Sequence, residues 1–253
     1  MNLLGAALAV LTGLFLGLLG GGGSTLAVPV LAYVVGLPAK EAIATSLIVV
    51  GATSLVGVLR HWSAENVEFR AALLFGALSM AAAFGGGRVA EFLPDWLQLT
   101  TFALVMLGAA ISMLSGPAET EEEELSPRPS RWPMIFAAVS VGTLTGVVGV
   151  GGGFLIVPAL VVLVGLPMRR AVGTSLLVIA MNSLAAFAAY AGHVAIQLKV
   201  TVLFTLFAFA GVAVGSALVH RVSTAALRKG FAFFLIGVAV LILFQNRTAL
   251  LAL

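Results

Sequence analysis

One stretch of this chain occurs twice. Residues 13–50, GLFLGLLGGGGSTLAVPVLAYVVGLPAKEAIATSLIVV, overlie residues 142–179, GTLTGVVGVGGGFLIVPALVVLVGLPMRRAVGTSLLVI, at a constant offset and without a gap. About half of the aligned positions are identical. A chain written this way folds as two copies of one unit. Whatever the unit is, it contains a glycine run flanked by apolar residues.

The apolar flanks decide the solvent. Of the 253 residues, 61% are hydrophobic and 9% are charged, whereas a soluble domain carries about 25% charged residues. So few charges cannot cover the surface of a soluble protein of this size, so most of that surface faces lipid. A backbone in lipid must satisfy its own N–H and C=O groups, which leaves helices or a closed barrel. Barrel strands alternate apolar and polar residues over about ten positions. The runs here are longer and unbroken, and they read as helices. Ten segments emerge, at 3–19, 25–36, 41–59, 70–88, 97–115, 133–149, 154–165, 171–191, 199–219 and 228–245. Most are long enough to cross a bilayer. The segments 25–36 and 154–165 would reach about 18 Å as helices, against about 30 Å of hydrocarbon. They are half-helices.

The expected fold is therefore an all-α polytopic membrane protein. It has two homologous units of about five helical segments, with short broken or re-entrant half-helices after the glycine runs. The first unit is 1–116 and the second 132–253. Between them, 117–131 is a hydrophilic linker with an acidic run, Glu121–Glu124, followed by Pro127 and Pro129. Such a run reads first as a solvated segment. The apolar N-terminus lacks a basic flank and has a counterpart in the second unit, so it belongs to the mature fold rather than to a cleaved signal.

Loop charges set the topology. If each unit crosses the membrane an odd number of times, Arg60, Arg70, Arg128, Arg131, Arg169, Arg170, Arg221, Arg228 and Lys229 share one side. Lys40, Arg88, Lys199 and Arg247 take the other. With an even number the same residues split almost evenly. The positive-inside rule favours odd units and an inverted repeat, with the linker cytoplasmic and both termini outside. That parity holds whether 3–19 and 25–36 make two crossings or one re-entrant hairpin.

Three features carry chemistry. The first is the paired glycine run: Gly20, Gly21, Gly22 and Gly23 before Ser24, and Gly149 with Gly151, Gly152 and Gly153. Each precedes a half-helix with a proline in its early turns, Pro29 and Pro158, and Ser24 or Thr25 can cap the first of them. A helix opening inside the membrane presents free N–H groups and about half a positive charge, an anion site without a basic side chain. Close helix packing by small residues is the competing use of such glycines. The second feature is the repeated pair Thr45–Ser46 and Thr174–Ser175, whose hydroxyls either donate to an anion or bond back to helical carbonyls. Asn182, with Ser183, Thr53 and Ser54, follows one to two turns later. The third is an absence: no Asp or Glu lies in the middle of an apolar segment. His61 and His193 sit near segment ends, where an interfacial role is the ordinary one. Trp62, Trp96 and Trp132 fall beside segment boundaries, as an aromatic belt does.

No nucleophile–base pair, no His-Glu metal spacing and no GxxxxGK[ST] loop is present, so an enzyme is not expected. There is no cysteine, hence no disulfide or thiolate site, and the net charge of +3 does not point to nucleic acid. No cofactor and no metal are expected. The partners are a small anionic substrate and the lipid bilayer, with a homodimer left open.

GLLGGGGSTLAVPVL and GVVGVGGGFLIVPAL, each followed by GLP and then by a TSL triplet, resemble the TauE/SafE family of sulfite and organosulfonate exporters. The resemblance covers nearly the whole chain. It implies a multi-pass permease of the cell inner membrane for sulfite, sulfoacetate or related small sulfur-containing anions. The copies differ where Ser24 faces Gly153 and Gly21 faces Val150, so the two halves of a site need not be chemically equal. An anion channel, or a scaffold recruiting a partner through the linker, are the alternatives.

Overall fold

The computed structural model describes residues 3–90, 95–115, 131–148, 153–190, 196–219 and 221–250, and every regular element among them is helical. The order is α1 (Leu3–Leu19), a 3-10 turn at Gly21–Gly23, α2 (Ser24–Pro29) with a π-helical continuation Val30–Val34, α3 (Ala39–Ser63), α4 (Phe69–Ala90) and α5 (Asp95–Ser115). The second unit follows with α6 (Arg131–Val148), α7 (Gly153–Pro158) continued by π-helical Ala159–Leu163, α8 (Met168–Tyr190), α9 (Leu198–Val219) and α10 (Thr224–Leu250). The starts of α2, α3, α4 and α5 and those of α7, α8, α9 and α10 are matched at the offset of the sequence repeat. Most of the linker lies outside the described residues, as do Gly149, Gly151, Gly152 and His193.

The GLP triplet has the same job in both units. Gly36 (φ 84°) and Gly165 (φ 76°) adopt the left-handed conformation that ends a helix. The next N–H groups, of Leu37 and Leu166, close back on the Leu31 and Leu160 carbonyls at 3.0 and 2.9 Å. Pro38 and Pro167 then open the following helix, their carbonyls accepting Ala42 N–H and Ala171 N–H at 2.8 Å. In both units the π-helical turn begins just after the half-helix proline.

The units exchange their helices. α1 packs along α9 of the second unit, and its counterpart α6 packs along α4 of the first; α5 pairs with α10, and α3 with α8. Small residues make the two exchanged seams. A Cβ on Gly13 would overlap the Ala208 carbonyl, and one on Gly142 would overlap the Ser79 carbonyl, which is the equivalent contact under the repeat. Gly211 approaches Val10 and Leu14 while Gly17 approaches Val212 and Ser216, so α1 and α9 run in the same direction. Between α3 and α8 the order reverses. Gly51 faces Ser183, Gly57 faces Leu176, and Gly173 faces His61. Close backbone approach of this kind is how helices associate where there is no hydrophobic drive between them.

α2 folds back along α1. Gly23 lies against Thr12 and Leu16, and Leu31 and Leu37 reach the apolar cluster around Ala9. Segments 3–19 and 25–36 thus form a hairpin that returns toward its starting end. Outward faces are strongly apolar: Leu3 is 89% exposed, Trp132 79% and Phe84 72%. Such faces require lipid. Among the described residues Glu41–Ser63, Met168–Phe187 and Leu198–Val219 are long and apolar enough to cross a bilayer on length and composition, and α1 and parts of α4, α5 and α6 are shorter apolar helices. The chain is a multi-pass helical membrane protein.

Candidate functional site

Gly20 opens the site. Its φ of 69° is unfavourable for any residue with a Cβ, and it ends α1 and turns the chain into the 3-10 segment. A Cβ there would also lie 2.5 Å from Ser175 Oγ on α8 and 3.1 Å from Val157 Cγ2 on α7. Across the repeat, a Cβ on Gly153, the first residue of α7, would lie 2.5 Å from Ser24 Oγ at the start of α2. The two half-helix starts and the Thr-Ser pair of the second unit therefore meet in one place. α7 packs on both the Gly21–Gly23 turn and α2. Of the residues singled out in sequence, Gly21, Gly23, Ser24, Gly153 and Ser175 are brought together. Gly22 lies in the same turn. Gly151 and Gly152 lie outside the described residues, as does the side chain of Thr25.

The hydroxyls divide into two kinds. Ser24 Oγ donates to Gly21 O at 2.6 Å, Ser46 Oγ to Ile43 O at 2.7 Å and Ser175 Oγ to Val172 O at 2.7 Å. Ser24 therefore bonds backward rather than capping α2, whose N-cap position is Gly23 with no side-chain cap. Thr53 bonds back likewise, to Val49 O at 2.6 Å, but the threonines of the two Thr-Ser pairs behave otherwise. Thr174 Oγ1 accepts the Glu68 N–H at 3.0 Å and keeps its own proton to give. Thr45, fully buried at 0% exposure, has no hydrogen-bond partner for its hydroxyl. Equivalent residues of the two units thus stand in different states.

Farther along the antiparallel α3–α8 pair, Asn182 Oδ1 and Ser54 Oγ are also buried without a partner. Asn182 stands out in sequence as a candidate. Ser54 carries less weight there, although the repeat signals it, because it is the equivalent of Ser183. A buried polar atom in lipid without a partner is costly, so each such atom calls for a ligand, a water or a partner in another state.

Charge is kept at the edges. Arg170 Nη1 lies 3.4 Å from Glu68 Oε1, and Gln197 Nε2 donates to Glu41 Oε2 at 3.0 Å. These contacts are also equivalents under the repeat, one an ion pair and one an amide-to-carboxylate hydrogen bond. The ion pair is half-exposed, so its contribution is about 0–1 kcal/mol. Among the described residues no group of His, Asp and Glu is arranged to hold a metal ion.

The threonine difference has a measurable consequence. Thr174→Val removes the acceptor of the Glu68 N–H and should destabilise by about 1 kcal/mol, lowering the thermal midpoint by about 2–4 °C. Thr45→Val removes a hydroxyl that has no partner and should leave the midpoint unchanged or slightly raised. Thermal unfolding of both variants in detergent checks this.

Comparison with known proteins agrees with this architecture. The family model "Sulfite exporter TauE/SafE" matches residues 5–242. A probable membrane transporter protein of Xylella fastidiosa (strain 9a5c) is 33% identical over 247 residues, covering 96% of this chain and 95% of its own length. A probable membrane transporter protein of Methanocaldococcus jannaschii is 30% identical over 194 residues, 72% of this chain and 71% of that one. Another from Bacillus subtilis is 28% identical over 175 residues, covering 67% and 70%. No solved structure matches the chain.

Proposed function

The chain belongs to the sulfite exporter TauE/SafE family of membrane transporters, and from that premise we propose that it exports small sulfur-containing anions, sulfite, sulfoacetate or another organosulfonate, across the cell inner membrane. The observation that carries the reading is the meeting of two glycine-opened half-helix starts, Gly20–Ser24 and Gly153, inside the helix bundle. Each start supplies N–H groups and positive partial charge to an anion without an ammonium or guanidinium to trap it. Thr45 and Thr174 have hydroxyl protons left to donate, and Asn182 adds an amide. The bound anion sits near the bilayer midplane between the repeats, as in transporters with discontinuous helices.

Two units of opposite orientation suit this mechanism. The repeat makes α3 and α8 equivalent helices, and they pack antiparallel, which supports an inverted repeat. With the linker cytoplasmic and the termini outside, one glycine opening belongs to each half. Alternating access then consists of one bundle of packed helices, drawn from both units, moving against the other while the anion stays at the junction.

The driving force follows from the charge distribution. No Asp or Glu lies in the middle of an apolar segment, so no carboxylate is at hand to carry a coupled proton. A negative interior favours exit of an anion by about 2.3 kcal/mol per charge per 100 mV. Export therefore runs on the membrane potential. In proteoliposomes with an imposed potential, sulfite efflux should rise as the lumen is made negative and should be competed by sulfoacetate. Efflux that ignored the potential and followed a pH gradient would defeat the uniport mechanism. In the same assay Thr45→Val should raise KM roughly tenfold, the loss expected for one hydrogen bond to a charged group.

A further inference from the structure

A titratable ring inside a lipid-embedded bundle is costly unless it has a partner there. His61 lies in the last turn of α3, where sequence suggests an interfacial ring, yet it is 1% exposed. Its Nε2 lies 3.4 Å from the Gly17 carbonyl oxygen of α1. A carbonyl only accepts, so the ring is the donor. Gly17 belongs to the last turn of α1, where carbonyls lack intrahelical partners, and Gly20, which breaks the helix, follows within one turn.

His61 also touches the other unit. Its Cβ lies 3.0 Å from where a Cβ on Gly173 would sit. Gly173 immediately precedes Thr174 and Ser175, and Ser175 Oγ is the atom nearest to a Cβ on Gly20. The His61 carbonyl accepts Asn66 N–H at 2.9 Å, and two residues later the Glu68 N–H reaches Thr174 Oγ1. Three helix ends thus close into a ring, the end of α1, the end of α3 and the start of α8; the His61 ring joins the first two, and its Cβ meets the third. The equivalent position in the second unit is Tyr190, so no second imidazole stands there.

We propose that His61 is a positioning residue for the anion site. Its Nε2–H on the Gly17 carbonyl fixes the end of α1 and thereby the Gly20–Gly23 turn against α8. The role in transport rests on the reading that this turn binds the anion, but the positioning itself is measurable without any substrate.

The test uses His61→Leu, which keeps bulk and removes the donor, and His61→Gln, which returns an N–H at similar reach. Amide hydrogen exchange of the segment Gly20–Ser24 is followed in full-length protein in lipid nanodiscs, with no anion added. His61→Leu should exchange roughly tenfold faster than wild type, and His61→Gln should return close to wild type. In sulfite flux, His61→Leu should raise KM by a similar factor while Vmax changes less than about twofold, with rescue by His61→Gln. Equal exchange in all three proteins, or equal acceleration in both variants, overturns the proposal. If His61→Leu does not purify as a monodisperse protein, His61→Gln decides alone: near-wild-type exchange supports the donor role, and tenfold faster exchange refutes it. If the exchange pattern holds while the wild type moves no small anion, the anion reading fails and the positioning role stands.

Discussion

Gly13→Leu should cost the protein its assembled fold, or at least lower its thermal midpoint by about 10 °C. A Cβ at position 13 would overlap the backbone carbonyl of Ala208, and the neighbouring atoms are also backbone. No rotamer change relieves such a clash, so α1 and α9 must separate. Overpacking an ordinary core costs about 1–3 kcal/mol, and for a chain of this size each kcal/mol lowers the midpoint by about 2–4 °C. Separating a backbone seam belongs at the upper end of that range. The seam also joins the two units, because α1 belongs to the first and α9 to the second. Gly142→Leu should behave the same way against Ser79 of α4, since that contact is the repeat equivalent. Gly108→Leu on α5 is the control: nothing lies within 4 Å of its Cβ position, and its midpoint should stay within about 2 °C of wild type. Size-exclusion profiles and unfolding curves in detergent separate these outcomes.

Gly153→Val should lower anion flux roughly a hundredfold while the protein still folds. The Cβ would lie 2.5 Å from Ser24 Oγ and 3.2 Å from Ile179 Cδ1. Unlike the Gly13 clash, these are side-chain atoms. Ser24 can rotate, giving up its bond to Gly21 O, and Ile179 can shift by a few tenths of an ångström. The fold therefore tolerates the valine, but its branches fill the space between the two half-helix starts. A displacement of about 1 Å in a site that relies on fixed backbone donors is enough for a loss of that size. Gly108→Val should retain wild-type flux. Equal flux in Gly153→Val and wild type would remove the junction from the transport path.

Much of this architecture is legible in the amino-acid sequence. The duplication, the ten helical segments and the two half-helices can all be read there, because lipid forces apolar runs into helices and the repeat marks equivalent positions twice. The helix ends are less legible. α3 runs on through Arg60, His61 and Trp62, and α10 through Asn246 and Arg247, beyond the apolar runs that mark them. A helix need not stop where its apolar run stops, and the polar residues beyond carry no hydropathy signal. The exchange of α1 and α6 between units is not legible, because helices apolar on all sides carry no stripe to say which face meets which neighbour. The same blindness hides the burial of His61. At the site, Ser24 departs from the repetition, whereas the glycine runs and Ser175 are recognisable from it. Which hydroxyls bond to their own helix is not, because Ser46 and Thr45 differ in rotamer and partner rather than in the chemistry of the group. The unpartnered Ser54 is visible only as half of a repeated serine.

Whether paired glycine openings hold a small sulfur-containing anion is settled by direct binding. Radiolabelled sulfite is titrated against purified wild type and Gly153→Val in lipid nanodiscs, with sulfoacetate as competitor. Binding to the wild type should be saturable and competed, at about one anion per chain, and should be lost in Gly153→Val while the variant remains folded. Absence of saturable binding of sulfite or sulfoacetate to the wild type, or equal binding to both proteins, would contradict that reading.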